Sequence, residues 1–158
     1  LEGAEAWTLP EFELKDDAAR TVRRADLAGK PWVAAFIYAS CSGQCPMMTA
    51  KMKALRARLP EAFLVSFSVD GGDTPQKLAA YKKTYGADWL FLTGGKGVVA
   101  QLCKDGFKLA VADGLDPADP IIHSDKLVLV DRDSRVRGFF DPSDAAHLAS
   151  LASALKSL

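Results

Sequence analysis

Cys41-Ser42-Gly43-Gln44-Cys45-Pro46 sets two thiols four positions apart, just after an apolar run and just before a proline. Proline suits the first turn of a helix, where its missing N–H would be unpaired anyway. A helix start offers free N–H groups and a positive dipole end, which stabilise a thiolate. Gly43 permits the tight turn needed to bring the sulfurs together. Two such thiols can close a disulfide or share one soft metal ion. Inert cysteines fit less well, because a strand-to-helix loop is an exposed place for thiols with no role. The chain has three cysteines, an odd number, in a length that needs no disulfide staples. The pattern is a reactive pair plus a bystander.

The three-residue gap separates this pair from the C-x-x-C of fast disulfide exchange and leaves room for a bridging metal. His123 is the candidate third ligand. Two thiolates select Cu(I), and an added imidazole keeps Cu(II) accessible. A structural zinc site needs four protein ligands, which would require Cys103. That residue falls with Val98, Val99 and Leu102 on a short helical pattern and reads as core. A second chemistry uses the pair alone: one thiolate attacks a partner disulfide and the other resolves the mixed disulfide. Cys41 and Cys45 are then a redox pair, and His123 is incidental or tunes thiol acidity. A peroxiredoxin pocket is disfavoured, since Tyr38 and Ser42 stand where a threonine three residues before the cysteine is expected.

The elements that must position these groups can be read in order. The 158 residues suit one domain spanning 1–158, with 49% apolar and 25% charged residues. Twenty basic and twenty acidic residues leave no excess charge to recruit nucleic acid. No apolar run approaches the ~18 residues needed to span a bilayer; the chain does not begin with methionine, which leaves open a preceding signal peptide or an anchor carried by a segment absent from this chain. Phe12 and Leu14 alternate with charges and lead through Asp16-Asp17-Ala18-Ala19 to a second run at 21–24, a hairpin. Residues 32–38 form a buried strand. Met48, Met52, Leu55 and Leu59 predict a helix from Pro46 that Pro60 ends. Residues 63–69 are a second central strand. Asp73 or Thr74 caps the next helix, with Pro75 first, Leu78, Tyr81 and Tyr85 on its apolar face, and Gly86 stopping it. Residues 89–92 form a short strand, and a helix runs through Val98, Leu102 and Cys103. Residues 105–122, with Gly106, Gly114, Pro117 and Pro120, read as irregular and mobile for lack of a periodic apolar face. Residues 126–130 and 136–140 flank a turn at 131–134, and Asp141-Pro142-Ser143 opens a last helix.

This order predicts an α/β fold, a central mixed sheet flanked by helices with an N-terminal β-hairpin; a thioredoxin-like arrangement fits it, and the order alone leaves other α/β sandwiches open. In that arrangement the strand from 126 runs antiparallel to the one leading to Cys41. His123 is then expected beside the cysteine loop.

The residues resemble the Sco/SenC family of copper chaperones over most of the chain. The likeness rests on Phe12-Glu13-Leu14, Asp26-Leu27-Ala28-Gly29-Lys30-Pro31, the stretch from Phe36 to Pro46, Ser68-Val69-Asp70-Gly71-Gly72-Asp73-Thr74-Pro75 and His123-Ser124. The specific element is C-x-x-x-C-P followed by the later His-Ser. The resemblance implies that Cys41, Cys45 and His123 hold copper, with Asp70 in a supporting role. It implies a metallochaperone rather than an enzyme, delivering copper to an apo acceptor such as the dinuclear copper site of cytochrome c oxidase, served by a thiol reductant and acting as a monomer. It also implies a periplasmic location or the outer face of the bacterial inner membrane. Gly71 stands where a proline is common, Ala18-Ala19 replaces a glycine-bearing turn, and the segment before His123 lacks the usual tyrosine and valine pattern. These departures bear on the acceptor more than on the ligands.

The remaining candidates read as structural. Met48 and Met52 share a helical face and pack in the core, whereas Met47 is placed to shield the site. His147 is a surface histidine of the last helix. Arg20, Arg23 and Arg24 form a solvated strand edge, Trp32 and Trp89 belong to core strands, and residues 131–134 supply turn chemistry.

Overall fold

The computed structural model describes residues 7–39, 44–60, 62–70, 72–94, 98–108, 112–116, 119–122 and 126–157, with backbone alone at 44–46, 112–116, 119–122 and 157. Strands β1 (Trp7–Thr8), β2 (Glu13–Asp16) and β3 (Thr21–Arg23) precede the short helix α1 (Arg24–Leu27) and strand β4 (Trp32–Ile37). Then come α2 (Gln44–Arg58), β5 (Phe63–Ser68), α3 (Pro75–Tyr85), β6 (Leu90–Thr93) and α4 (Val98–Gln101). The chain ends with β7 (Ala112–Asp116), β8 (Asp119–Ile122), β9 (Leu127–Val130), β10 (Arg135–Phe140) and α5 (Ala145–Ser157).

Eight strands form one sheet in the order β1-β10-β9-β4-β5-β6-β2-β3. β4, β5 and β6 are parallel neighbours, and β9 lies antiparallel against β4. All six residues of β4 are buried, which explains the unbroken apolar run: a parallel strand covered on both faces has no solvent side to mark with polar residues. This is the thioredoxin-like mixed sheet that the element order predicted.

The two faces are packed differently. On one, Trp32, Phe36 and Phe67 meet Phe107, with ring centroids of Phe36 and Phe107 5.0 Å apart and of Phe67 and Phe107 5.5 Å apart. Edge-on aromatic packing of this kind adds about 0.5–1.5 kcal/mol per pair beyond area burial. Among the helices, α2 buries Met48, Met52 and Leu55, and α3 buries Leu78 and Tyr81. Thr49 and Tyr81 share a 2.6 Å hydrogen bond that ties α2 to α3. Thr74 caps α3 by accepting from the Lys77 N–H at 3.2 Å, and Gly86 ends it at φ 63°, a left-handed conformation that costs glycine nothing.

The other sequence readings meet the structure closely. β2 and β3 form the N-terminal hairpin, and Asp16 and Asp131 close the turns of the two hairpins. Arg20, Arg23 and Arg24 pair with Asp16, Glu13 and Glu11 along the β3 edge. Trp32 and Trp89 are buried, and Met47 is 57% exposed. His147 lies at the surface, and its Nδ1 accepts from the Asp141 N–H at 2.9 Å.

Two expectations need correction. The helix through Val98 and Cys103 is one α-helical turn continued by a π-helical turn, Leu102–Gly106, whose closing bond runs from the Phe107 N–H to the Leu102 carbonyl at 3.0 Å. The extra residue in that turn brings Phe107 into the aromatic cluster. The stretch expected to be irregular also contains an antiparallel ribbon, β7 with β8. Its register pairs Asp113 with Ile121 and Asp116 with Asp119. Backbone bonds across a two-residue connection set this ribbon, so it needs no apolar alternation.

Candidate metal centre

Backbone geometry brings the elements that flank the expected site to one end of the sheet. β4 and β9 pair antiparallel as Trp32↔Val130, Val33↔Leu129 and Ala34↔Val128. The end of β4 at Ile37 and the start of β9 at Leu127 therefore lie at the same end. α2 begins there at Gln44, so the backbone of Cys45 is in its first turn. Cys41, His123 and the side chain of Cys45 lie outside the described residues. Among the described residues no group of three His, Cys, Asp or Glu side chains is arranged to hold a metal ion.

The described residues around this end form a braced frame. Asp73 is 5% exposed and joins the ends of three strands. Its Oδ2 accepts from the Ala39 N–H at 2.7 Å and from the Ser68 hydroxyl at 2.7 Å. Its backbone carbonyl accepts from the Thr93 hydroxyl at 2.8 Å. Ala39 is two residues before Cys41, so the loop departs from a fixed point. The Val69 N–H donates to the Ile37 carbonyl at 2.9 Å and extends the β4–β5 pairing beyond the strands. Asp70, given a supporting role by the resemblance, makes a turn: its Oδ1 accepts from the Gly72 N–H at 2.8 Å. Its carbonyl accepts from the Asp73 N–H at 3.0 Å.

The bracing role of Asp73 was missed, because the sequence reading considered it only as a helix cap. The available signal was a carboxylate spare beside the better cap Thr74, near two serines in an otherwise apolar strand. On the far side of the cysteine segment, Met48 and Thr49 are buried and fix the early turns of α2. Met47 projects outward beside them.

Cys103 is fully buried. Burial pushes its thiol up to about 12, so it stays protonated and unreactive near neutral pH. The reading of Cys103 as a core residue stands.

These features define a thioredoxin-like domain whose cysteine segment follows its central strand, and comparison with known proteins is specific. Residues 2–158 match the SCO1/SenC family. The chain is 31% identical over 134 residues to the SCO1 protein homolog of Bacillus subtilis, covering 79% of this chain and 69% of that protein. It is 29% identical over 137 residues to a protein of Stutzerimonas stutzeri named as a candidate copper-binding protein, covering 82% of this chain and 67% of that one. A SCO1/SenC family lipoprotein from Bacillus anthracis superposes with a TM-score of 0.88 at 28% identity, covering 96% of this chain and 95% of that one. The chain belongs to the SCO1/SenC family.

Proposed function

We propose that this protein is a copper metallochaperone in which Cys41, Cys45 and His123 hold one copper ion as cargo. The observation that carries the reading is the antiparallel register of β4 and β9. Two residues beyond Ala39 reach Cys41, and three residues back from Lys126 reach His123. At ~3.3–3.6 Å of extended chain per residue, both tethers span the gap of ~4.8 Å between neighbouring strands. The donor set fits a soft metal: two thiolates favour Cu(I), and the imidazole accommodates Cu(II). Cys45 in the first turn of α2 is where a helix start favours the thiolate that copper needs. The Stutzerimonas stutzeri relative, named for copper binding, supports the same cargo.

Release to an acceptor then proceeds by stepwise exchange, the acceptor's thiolates displacing Cys41 and Cys45. No covalent bond of a substrate is made or broken, so the protein acts as a chaperone rather than an enzyme. The acceptor proposed is an apo copper site of cytochrome c oxidase, and a thiol reductant keeps the pair loaded. BsSco, whose fold this chain shares at a TM-score of 0.83, is a member of the Sco family of cytochrome c oxidase assembly proteins. The proposed place of action is the periplasm or the outer face of the bacterial inner membrane. No helix among the described residues is long and apolar enough to cross a membrane, and the Bacillus anthracis relative is a lipoprotein.

A second reading is favoured by one observation: a disulfide switch has been identified in BsSco. Cys41 and Cys45 would then keep acceptor cysteines reduced by thiol–disulfide exchange. His123 separates the two readings, because the chaperone needs it and the exchange reaction does not. Reduced, metal-free protein titrated with Cu(I) under anaerobic conditions against a competing chelator is expected to take up one copper. His123→Ala is expected to lose more than the ~10–100-fold that a mere supporting partner of a ligand would cost. Equal binding by both proteins, or failure of both against the chelator, overturns the chaperone reading and leaves the redox one.

A further inference from the structure

At the end of the sheet opposite the cysteine segment lies a cavity of about 540 Å³ between the close of α2 and the close of α5. Leu59, Phe63 and Leu155 give it an apolar wall, and Lys30, Arg58 and Lys156 stand around it with no carboxylate among the described lining residues. Three other cations at this end are paired: Arg56 with Asp88 at 3.3 Å, Lys82 with Asp17 at 3.3 Å and Arg20 with Asp16 at 2.8 Å. Lys30, Arg58 and Lys156 have no ion pair among the described residues. Lys30 instead holds its ammonium 5.5 Å from the Phe63 ring centroid. Three cations without an ion pair among the described residues stand around one concavity and repel each other, and an anion seated among them removes that cost.

The walls are preformed. The Leu59 N–H donates to the Leu55 carbonyl and the Ala62 N–H to the Leu59 carbonyl, both at 2.9 Å. The Arg56 guanidinium closes the same turn on the Ala62 carbonyl. Leu151, fully buried one turn before Leu155, anchors α5. A rigid apolar pocket with a few convergent polar groups is the usual form of a small-molecule site.

We infer that this cavity binds a single-chain amphiphilic anion, a fatty-acid-type carboxylate. Its tail lies along Leu59, Phe63 and Leu155, and its head sits among Lys30, Arg58 and Lys156. A simple inorganic anion would leave the apolar wall wet, and an uncharged lipid would leave the cations unmet. The site does not depend on the copper reading. Cys45 lies in the first turn of α2 and Arg58 ends it, which puts the cavity roughly 20 Å along the helix from the cysteine segment.

Octanoate below its micelle concentration is the probe, followed by amide chemical shifts of the full chain. Saturable shifts centred on residues 59, 63 and 155 are expected, with acetate and 1-octanol each binding at least ~10-fold more weakly. Lys30→Gln with Arg58→Gln, both exposed positions, is expected to weaken octanoate by about tenfold or more, with the thermal midpoint unchanged. Absence of saturable shifts, equal binding by the double variant, or acetate or 1-octanol matching octanoate would overturn the inference. Sedimentation with phosphatidylglycerol vesicles is the last arm. If the double substitution abolishes vesicle binding while octanoate never saturates, the cations serve a flat membrane surface and the cavity is not a ligand site.

Discussion

The two ends of the central sheet each carry buried aspartates, and they use them differently. At the end holding the hairpin turns, Asp16 accepts from the N–H groups of Ala18 and Arg20 and from the Arg20 guanidinium. Asp131 at the same end accepts from the N–H groups of Asp133 and Arg135 and from the Arg137 guanidinium. Each is satisfied by residues within six positions and neutralised by an arginine. At the cysteine end, Asp73 spends Oδ2 on Ala39 and Ser68, the first of them 34 positions away, and makes no ion pair among the described residues. Local carboxylates close turns. The long-range one fixes where a functional loop begins.

The sulfurs test this division most sharply. Cys103 should be shut out of the chemistry of the cysteine end. With its thiol near 12, its thiolate fraction at neutral pH is on the order of a few thousandfold below that of an ordinary cysteine of pKa ~8.5. Timed alkylation of the reduced protein, read by mass, is expected to show two fast sites at Cys41 and Cys45. Cys103 is expected to be modified only after unfolding. Three sites reacting at one rate would mean that the π-helical turn opens readily and that the core reading of Cys103 is wrong.

A smaller effect separates the aspartates themselves. Asp73→Ala frees the part-buried Ala39 N–H and the buried Ser68 hydroxyl, costing about 1–3 kcal/mol of stability. It also releases the start of the cysteine loop, so Cu(I) affinity is expected to fall ~10–100-fold, as for other supporting partners of metal ligands. Asp73→Asn, which keeps an accepting oxygen, is expected to recover most of that affinity. Asp131→Ala should cost a similar ~1–3 kcal/mol through its unmet turn N–H groups, with copper affinity unchanged. Chemical denaturation paired with chelator competition checks both variants. Equal copper affinity in Asp73→Ala and Asp131→Ala would erase the distinction between the two ends.

This contrast also explains what the sequence could reveal. β4 and β5 are legible because burial on both faces leaves an uncharged run, and α3 because Thr74, Pro75 and Gly86 mark its limits. The hairpin turns announce themselves, since Asp16 and Asp131 bond to neighbours only a few residues on. Asp73 hides because one of its partners is a backbone N–H, a group that nearly every residue carries and no side-chain type advertises. The β7–β8 ribbon hides for a related reason. Pro120, Gly114 and three aspartates mask a pairing that rests on backbone bonds. The π-helical turn adds one residue to a helical pattern and leaves no mark in composition. The proposed ligands were visible as a motif, while the frame holding the loop start was not.

The mildest test concerns acid. Burial alone would raise the pKa of Asp16, but the backbone bonds from Arg20 and Ala18 and the Arg20 guanidinium outweigh it, and the carboxyl falls below its ordinary value. A folded-state pKa below the unfolded one means that the carboxylate contributes stability fully above the unfolded value of ~3.9. That contribution is lost as pH falls through the folded value. Asp16→Asn removes the titration, so its urea midpoint is expected to lie below the parent's near neutrality and to converge on it as pH drops below ~4. The copper titration at neutral pH is expected to be the same in both proteins, because Asp16 closes a turn at the opposite end of the sheet from Cys41. A constant gap in urea midpoint across the acid range would show that the β2–β3 turn gains nothing from the charge of Asp16. Its resemblance to Asp131 would then be one of hydrogen-bond geometry alone.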